Sequence, residues 1–183
     1  LGLALSMLML LGAFIFALQL PVDSPHPITE PEKGGQSVVK PLVFLSLFII
    51  VITINSGLMY EVVNPAFAHL KTLTSWYWAF PYIAALYVMK SMPPKANRSY
   101  ILYAAIAMLG LSFIGFMAFD RSVPSYIVIN TLMLGACGIY DLFWWSILGE
   151  MLDFHRNPAK ILGFGLSANV LGVLLGGLVG NAI

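Results

Sequence analysis

Residues 126–148 read YIVINTLMLGACGIYDLFWWSIL and carry a single acidic side chain, Asp141. A bilayer core about 30 Å thick is crossed by about 20 apolar residues in a helix, and this run supplies them. An aspartate in the middle of such a helix costs about 2.5–3.5 kcal/mol on insertion, and it nearly always faces a bundle interior or a hydrated cavity. We therefore predict a membrane-spanning helix whose Asp141 side chain points away from lipid.

The composition of the whole chain indicates a membrane protein. Of its 183 residues, 60% are hydrophobic and 9% are charged, whereas an ordinary soluble domain has about 25% charged residues. The net charge of +1 and the scattered lysines and arginines do not favour a nucleic-acid partner. Cys137 is the only cysteine, which excludes an intrachain disulfide and a multi-cysteine metal site. We expect the lipid bilayer as a partner, and neither a metal nor a cofactor.

Polar segments divide the chain into six apolar runs of spanning length, so we predict an all-α, polytopic helical bundle with six transmembrane helices in the cell membrane. The runs cover residues 1–20, 41–63, 73–92, 100–119, 126–148 and 161–183.

The stretch 21–40 holds four prolines and two glycines, which favours an extended linker over a regular helix. The predicted parts are therefore a first transmembrane helix (1–20), a cytoplasmic linker (21–40) and a five-helix membrane bundle (41–183). Because the chain starts at Leu1 and is still apolar at Ile183, we expect it to be a fragment.

The basic residues predict the orientation. An excess of lysine and arginine marks the cytoplasmic loops of a membrane protein. Seven of the nine basic residues lie in or beside the first, third and fifth loops, and two lie in the second and fourth. The first set is Lys33, Lys40, Lys90, Lys95, Arg98, Arg156 and Lys160; the second is Lys71 and Arg121.

Polar side chains inside the apolar runs are the candidate site residues. Asn130 lies eleven residues before Asp141, about three helical turns, so the two share a face. Asn55 and Ser56 precede Gly57, and a transporter helix often unwinds at such a point to expose its backbone to a substrate. The functional interpretation is contact with a small polar solute, a proton or a cation. The alternative is that these groups only satisfy neighbouring helices.

Aromatic side chains cluster in the segment TSWYWAFPYIAALY, residues 74–87. Their position beside a predicted outer loop favours an interfacial aromatic belt over a wall on which a substrate stacks. Pro81 is expected to kink this helix. Trp144 and Trp145 are also at belt depth, although one of them could instead close a cavity.

Small residues in the last run, Gly165, Gly172, Gly176 and Gly180, recur at helical spacing and predict a smooth face for close helix packing. Charged residues crowd the end of the fifth run. Glu150 or Asp153 could pair with Arg156, or with a residue of a neighbouring loop, as a gating latch. The alternative is an ordinary hydrated helix end, because exposed ion pairs contribute only about 0–1 kcal/mol.

Six spans, a long linker after the first, short loops thereafter and the segment RNPAKILGFGLSANVLGVLLGG (156–177) together resemble the major facilitator superfamily. The resemblance places the chain at about helices six to eleven of twelve, that is, in the carboxy-terminal half. It implies a secondary active transporter that moves a small solute by alternating access, with Asn55, Asn130 and Asp141 lining the central cavity.

The segment DLFWWSILGEMLDFHRNPAKILGFGLSANVLG (141–172) is also similar to the transporter-like membrane regions of bacterial helix-turn-helix regulators. That resemblance implies a membrane sensor module as the alternative function. Catalysis is not expected, since the sequence contains no GxSxG, no phosphate-binding glycine loop ending in lysine and no HExxH.

Overall fold

The computed structural model describes residues 39–93, 97–152 and 158–182. These residues belong to the second of two units into which the chain divides, Ser37–Ile183. The predicted first helix, 1–20, and most of the predicted linker, 21–40, lie outside the described residues.

Helices make up most of the described part of the chain. The elements are α1 (Val39–Leu58), a π-helical segment (Met59–Val63), α2 (Asn64–Ala66), α3 (Lys71–Thr74), α4 (Ala79–Ser91), α5 (Arg98–Ala118), α6 (Val123–Met151) and α7 (Pro158–Ala182).

Four helical stretches are long and apolar enough to cross a membrane: Val39–Ala66, Arg98–Ala118, Val123–Met151 and Ala159–Ala182. At about 1.5 Å per residue their lengths are roughly 31–43 Å, enough for a hydrocarbon core of about 30 Å. They coincide with four of the predicted spans. The prediction of an all-helical protein with apolar helices long enough to cross a membrane is therefore confirmed for the described residues.

The predicted span 73–92 is interrupted. Its long helix, α4, has 13 residues, about 20 Å, which is shorter than a bilayer core. Pro81 has no N–H to donate to the carbonyl of Tyr77, and its ring would crowd that carbonyl in a continuous helix. The chain instead makes tighter turns, in which Ala79 N–H donates to Trp76 O (3.4 Å) and Phe80 N–H donates to Tyr77 O (3.1 Å). Six complete spans therefore remain a prediction.

The packing of α1 against α7 is the most extensive between any two described helices. A Cβ atom added at Gly176 would collide with the backbone of Ile54 and Gly57, and one added at Gly172 would collide with Thr53 and the backbone of Ile50. Glycine at these positions therefore lets the two backbones approach closely. The neighbouring Gly177 is different, because its nearest such atom is Glu61 Cγ at 3.9 Å.

The other two predicted packing glycines contact different partners. A Cβ atom at Gly165 would collide with the Leu148 side chain of α6, and one at Gly180 would meet Glu61 Cβ at 2.8 Å. The predicted glycine face therefore serves three neighbours: α1, the π-helical segment and α6.

The second group of helices forms around α6, which packs against α4 and α5 and has few contacts with α1 and α7. Two clusters of buried side chains connect the groups. The first joins the end of α1 and the π-helical segment to α5 and α6, and includes Met59, Val63, Phe67, Leu109, Tyr126, Ile129 and Met133. The second joins the start of α1 to α6 and α7, and includes Leu42, Leu45, Ile49, Trp144, Leu148, Met151 and Ile161.

Polar contacts connect loops at both ends of the bundle. At one end, called the His69 end, the His69 ring Nε2 lies 2.9 Å from Arg121 O, which joins the loop after α2 to the loop before α6. In the same loop Asp120 Oδ1 accepts hydrogen bonds from Ser125 Oγ (2.6 Å) and Ser122 Oγ (2.7 Å). These hydrogen bonds lower the pKa of Asp120.

At the opposite, Glu150 end, Arg98 Nη1 donates to Glu150 Oε1 at 2.7 Å, which joins the start of α5 to the end of α6. The excess of basic residues predicts that this end is cytoplasmic.

Candidate functional site

A cavity of about 970 Å³ lies between α1, the π-helical segment, the α3–α4 region and α6. It extends from Asp141 towards the His69 end. Its described lining residues are Ser56, Met59, Tyr60, Asn64, Pro65, Ala68, Thr74, Trp78, Tyr82, Tyr126, Asn130, Leu134, Cys137 and Asp141.

One face of α6 forms a complete wall of this cavity. Its lining residues are Tyr126, Asn130, Leu134, Cys137 and Asp141, spaced by four, four, three and four positions, which is the spacing of one helical stripe. The structure therefore brings Asn130 and Asp141 to the same cavity on the face that their spacing predicts. Asn130 is 1% exposed, and its Nδ2 donates to Tyr126 O at 3.2 Å.

Asp141 is fixed by two donors. Tyr82 Oη, from α4, donates to Oδ2 at 2.7 Å, and Trp144 Nε1, from the next turn of α6, donates to Oδ1 at 3.1 Å. A carboxylate oxygen has two acceptor sites, so each oxygen retains one site for a ligand. The side chain is half-buried and held in one orientation by two different helices.

The α1 wall includes the π-helical segment. Ser56, Met59, Tyr60 and Asn64 line the cavity, and Met59 and Tyr60 belong to the π-helical turn. Single π-helical turns occur frequently at functional sites, because they rotate the side chains that follow them relative to an α-helix. Here the turn lies directly beside the cavity.

Asn55 occupies a different position from its neighbour. It is not among the described lining residues, and its Nδ2 donates to Ile52 O at 3.1 Å. Successive helical residues are rotated by about 100°, so Asn55 and Ser56 point in different directions. The structure places Ser56 on the cavity, with its hydroxyl facing the Cys137 thiol of α6.

The α3–α4 wall consists of Thr74, Trp78 and Tyr82, each four residues apart. The sequence favours an interfacial belt for most of the aromatic residues of this segment. Trp76, Trp78 and Phe80 are all exposed, 49%, 54% and 63% respectively. Trp78 and Tyr82 also line the cavity. Their spacing with Thr74 puts them on one helical face, but Trp76 and Phe80 have the same spacing, so the sequence alone does not show which face borders the cavity.

Trp144 lies between the cavity and the Glu150 end. It is 1% exposed and packs in the cluster that contains Leu148, Met151 and Ile49, where α1 meets α6. Trp145 is 41% exposed. Of the two tryptophans, Trp144 therefore occupies the position that could close the cavity.

The predicted gating residues are only partly described. Glu150 pairs with Arg98, and the two side chains are 57% and 63% exposed. Asp153 and Arg156 lie outside the described residues. Among residues 39–93, 97–152 and 158–182, no cluster of histidine, cysteine and acidic side chains could hold a metal ion.

Protein-family models, characterised proteins and solved structures were all compared with this chain, and none matches it.

Proposed function

We propose that this chain is part of a secondary active transporter of the major facilitator type, which moves a small solute across the cell membrane by alternating access. The proposal rests most directly on one observation: Asp141, in the middle of a 29-residue apolar helix, lies on a cavity of about 970 Å³. In this interpretation the protein is a multi-pass membrane protein with six transmembrane helices in the region 1–183.

The surroundings of Asp141 support contact with a solute or a coupling ion. A carboxylate at this depth is costly in hydrocarbon, so a cavity enclosed by protein is the environment that tolerates it. Tyr82 and Trp144 hold the carboxylate in a fixed position, and fixed polar groups on an otherwise apolar wall are how small-molecule sites obtain orientation and specificity. In the proposed site Asn130 and Ser56 add polar contacts, and Asp141 carries the charge.

The packing supports movement of two groups of helices. The pair α1–α7 is packed closely, and so is the group α4–α5–α6, but α6 makes few contacts with either α1 or α7. Small hinge or shear motions occur between packed groups of this kind. In the proposed cycle the contacts of Trp144 and Leu148 with α1 form the closure on the Glu150 side, and these contacts open when solute leaves on that side.

The alternative is a membrane sensor module of a helix-turn-helix transcriptional regulator, in which the same cavity binds a ligand without moving it. Flux distinguishes the two functions. The full-length protein is reconstituted into liposomes, and uptake of radiolabelled tetraethylammonium, mannitol and benzoate is measured against protein-free liposomes. These probes represent one cation, one neutral solute and one anion.

The transporter proposal predicts uptake of at least one probe, a loss of about tenfold or more in Asp141→Asn, and retained uptake in Glu61→Gln. Glu61 is an exposed acid of the π-helical segment that is not among the described lining residues, so it is a matched control. Absence of uptake for all three probes would contradict transport. Unchanged uptake and pH dependence in Asp141→Asn would contradict the assigned role of Asp141.

A further inference from the structure

The described lining of the cavity has an unbalanced charge. Asp141 is its one charged residue, and lysine, arginine and histidine are missing from the described lining. The two groups that contact the carboxylate, Tyr82 and Trp144, donate hydrogen bonds but carry no positive charge. The described cavity therefore contains a carboxylate without a cationic partner.

The two arginines nearest to the ends of α6 contact groups outside the cavity lining. Arg98 pairs with Glu150 at the Glu150 end. Arg121 donates to Phe116 O at 2.5 Å, and its guanidinium lies 3.9 Å from the centre of the Phe116 ring. Neither arginine is therefore a partner of Asp141 in the described cavity.

Aromatic rings supply much of the remaining wall. Tyr60, Trp78, Tyr82 and Tyr126 line the cavity, and they come from three different parts of the fold: the π-helical segment, the α3–α4 region and α6. The face of an aromatic ring attracts a cation, most strongly for tryptophan. A carboxylate together with several aromatic rings is the combination that suits an ammonium group.

We infer that this cavity binds an organic cation, an amine or quaternary ammonium compound that carries an apolar or aromatic group. The inference rests on the proposed function, since it names the class of solute that the same cavity takes. The ammonium group contacts Asp141 and the apolar group contacts the aromatic rings and Leu134. The volume of about 970 Å³ is at the upper end of the range of small-molecule pockets, about 300–1,000 Å³.

The negative charge of Asp141 disfavours neutral and anionic solutes relative to cations. A neutral solute of the same shape gains no attraction from Asp141, and an anion is repelled by it. A pair of unit charges about 4 Å apart near a protein surface attracts strongly, and desolvation offsets part of that gain. We expect a cation to bind about 10- to 100-fold more tightly than its neutral isostere.

The experiment uses three probes of nearly the same shape that differ in charge: phenethylamine, 2-phenylethanol and 3-phenylpropanoate. Their binding to the full-length protein in lipid nanodiscs is measured by isothermal titration calorimetry at neutral pH, with tetraethylammonium as a second cation. Asp141→Asn is the test variant and Glu61→Gln the control. Trp78→Ala tests the aromatic wall and should weaken binding of both cations by about fivefold.

The expected result is binding of both cations, a preference for phenethylamine over 2-phenylethanol, and loss of that preference in Asp141→Asn but not in Glu61→Gln. Equal binding of the amine and the alcohol, tighter binding of the anion, or failure of both cations to bind would overturn the inference. Its failure differs from failure of the proposed function. Cation binding without flux supports the inference and contradicts transport, whereas uptake of mannitol or benzoate without a cation preference does the reverse.

Discussion

Replacing Gly176 by alanine should loosen the contact between α1 and α7. The new Cβ atom would collide with the backbone of Ile54 and lie 3.0 Å from Gly57 Cα. Backbone atoms of two long helices cannot rotate away as a side chain can, so the helices must separate. Overpacking of this kind costs about 1–3 kcal/mol. Alanine recovers about 1 kcal/mol of helix propensity relative to glycine, so the expected net loss is up to about 2 kcal/mol.

The adjacent Gly177 provides a matched control. An added Cβ atom there meets only Glu61 Cγ, at 3.9 Å, which is an ordinary contact. Gly177→Ala should therefore keep or slightly raise the free energy of unfolding, by up to about 1 kcal/mol. The two variants have the same composition and differ by one position in α7, so the gain in helix propensity cancels between them. Their difference of about 1–3 kcal/mol isolates the close approach of the helices.

The assay is unfolding of the full-length protein in mixed micelles with increasing dodecyl sulfate, followed by tryptophan fluorescence and far-ultraviolet circular dichroism. Gly176→Ala should unfold at a lower dodecyl sulfate fraction than the wild type, and Gly177→Ala at the same or a higher fraction. Equal midpoints for the two alanine variants would refute the α1–α7 packing described above.

Three further predictions concern single contacts. Tyr82→Phe removes the donor to Asp141 Oδ2 and should lower the free energy of unfolding by about 1–2 kcal/mol. In a double-mutant cycle with Asp141→Ala the two losses should not add, and full additivity would show that the hydrogen bond is not formed. Glu150→Gln should cost less than about 1 kcal/mol in unfolding, because its pair with Arg98 is exposed; a larger loss would favour the latch interpretation. For Asp120 the lowered pKa means that the folded state favours the carboxylate, so its stabilisation is present at neutral pH and is lost as the pH falls through the folded-state pKa below 3.8. Asp120→Asn should therefore be less stable than the wild type at neutral pH and equally stable in strong acid, whereas a difference independent of pH would contradict the assigned hydrogen bonds.

The lengths of the apolar runs and the polar segments between them predicted the four long helices. A helix that can cross a membrane makes its backbone hydrogen bonds internally and has apolar side chains along its length, so it appears in the sequence as a continuous apolar run. The span 73–92 was less predictable. It is mostly apolar, and Pro81 predicts a kink, but the break before Pro81 depends on how the backbone compensates for a missing donor. Six spans, including the helix 1–20, remain a prediction.

Within the candidate site, the sequence predicts which residues of one helix share a face, but it does not predict which helices contact each other. The shared face of Asn130 and Asp141 follows from helical geometry alone. The choice between Asn55 and Ser56 required the rotation of α1 about its axis, and the sequence does not contain that angle. Tyr82 looked like an interfacial residue because its partner, Asp141, is 59 positions away. The sequence also did not predict the π-helical turn at Met59–Val63.

One face of α6 is expected to border a hydrated cavity, and the reactivity of single cysteines along α6 distinguishes that face from the lipid-facing one. In full-length protein in native membranes and in a Cys137→Ser background, a charged, membrane-impermeant methanethiosulfonate reagent is applied to Leu134→Cys, Asp141→Cys, Leu132→Cys and Ile139→Cys. Only a thiol that reaches water ionises and reacts. Positions 134 and 141 should react about tenfold or more faster than positions 132 and 139. Equal rates along the helix, or faster reaction at 132 and 139, would contradict this expectation.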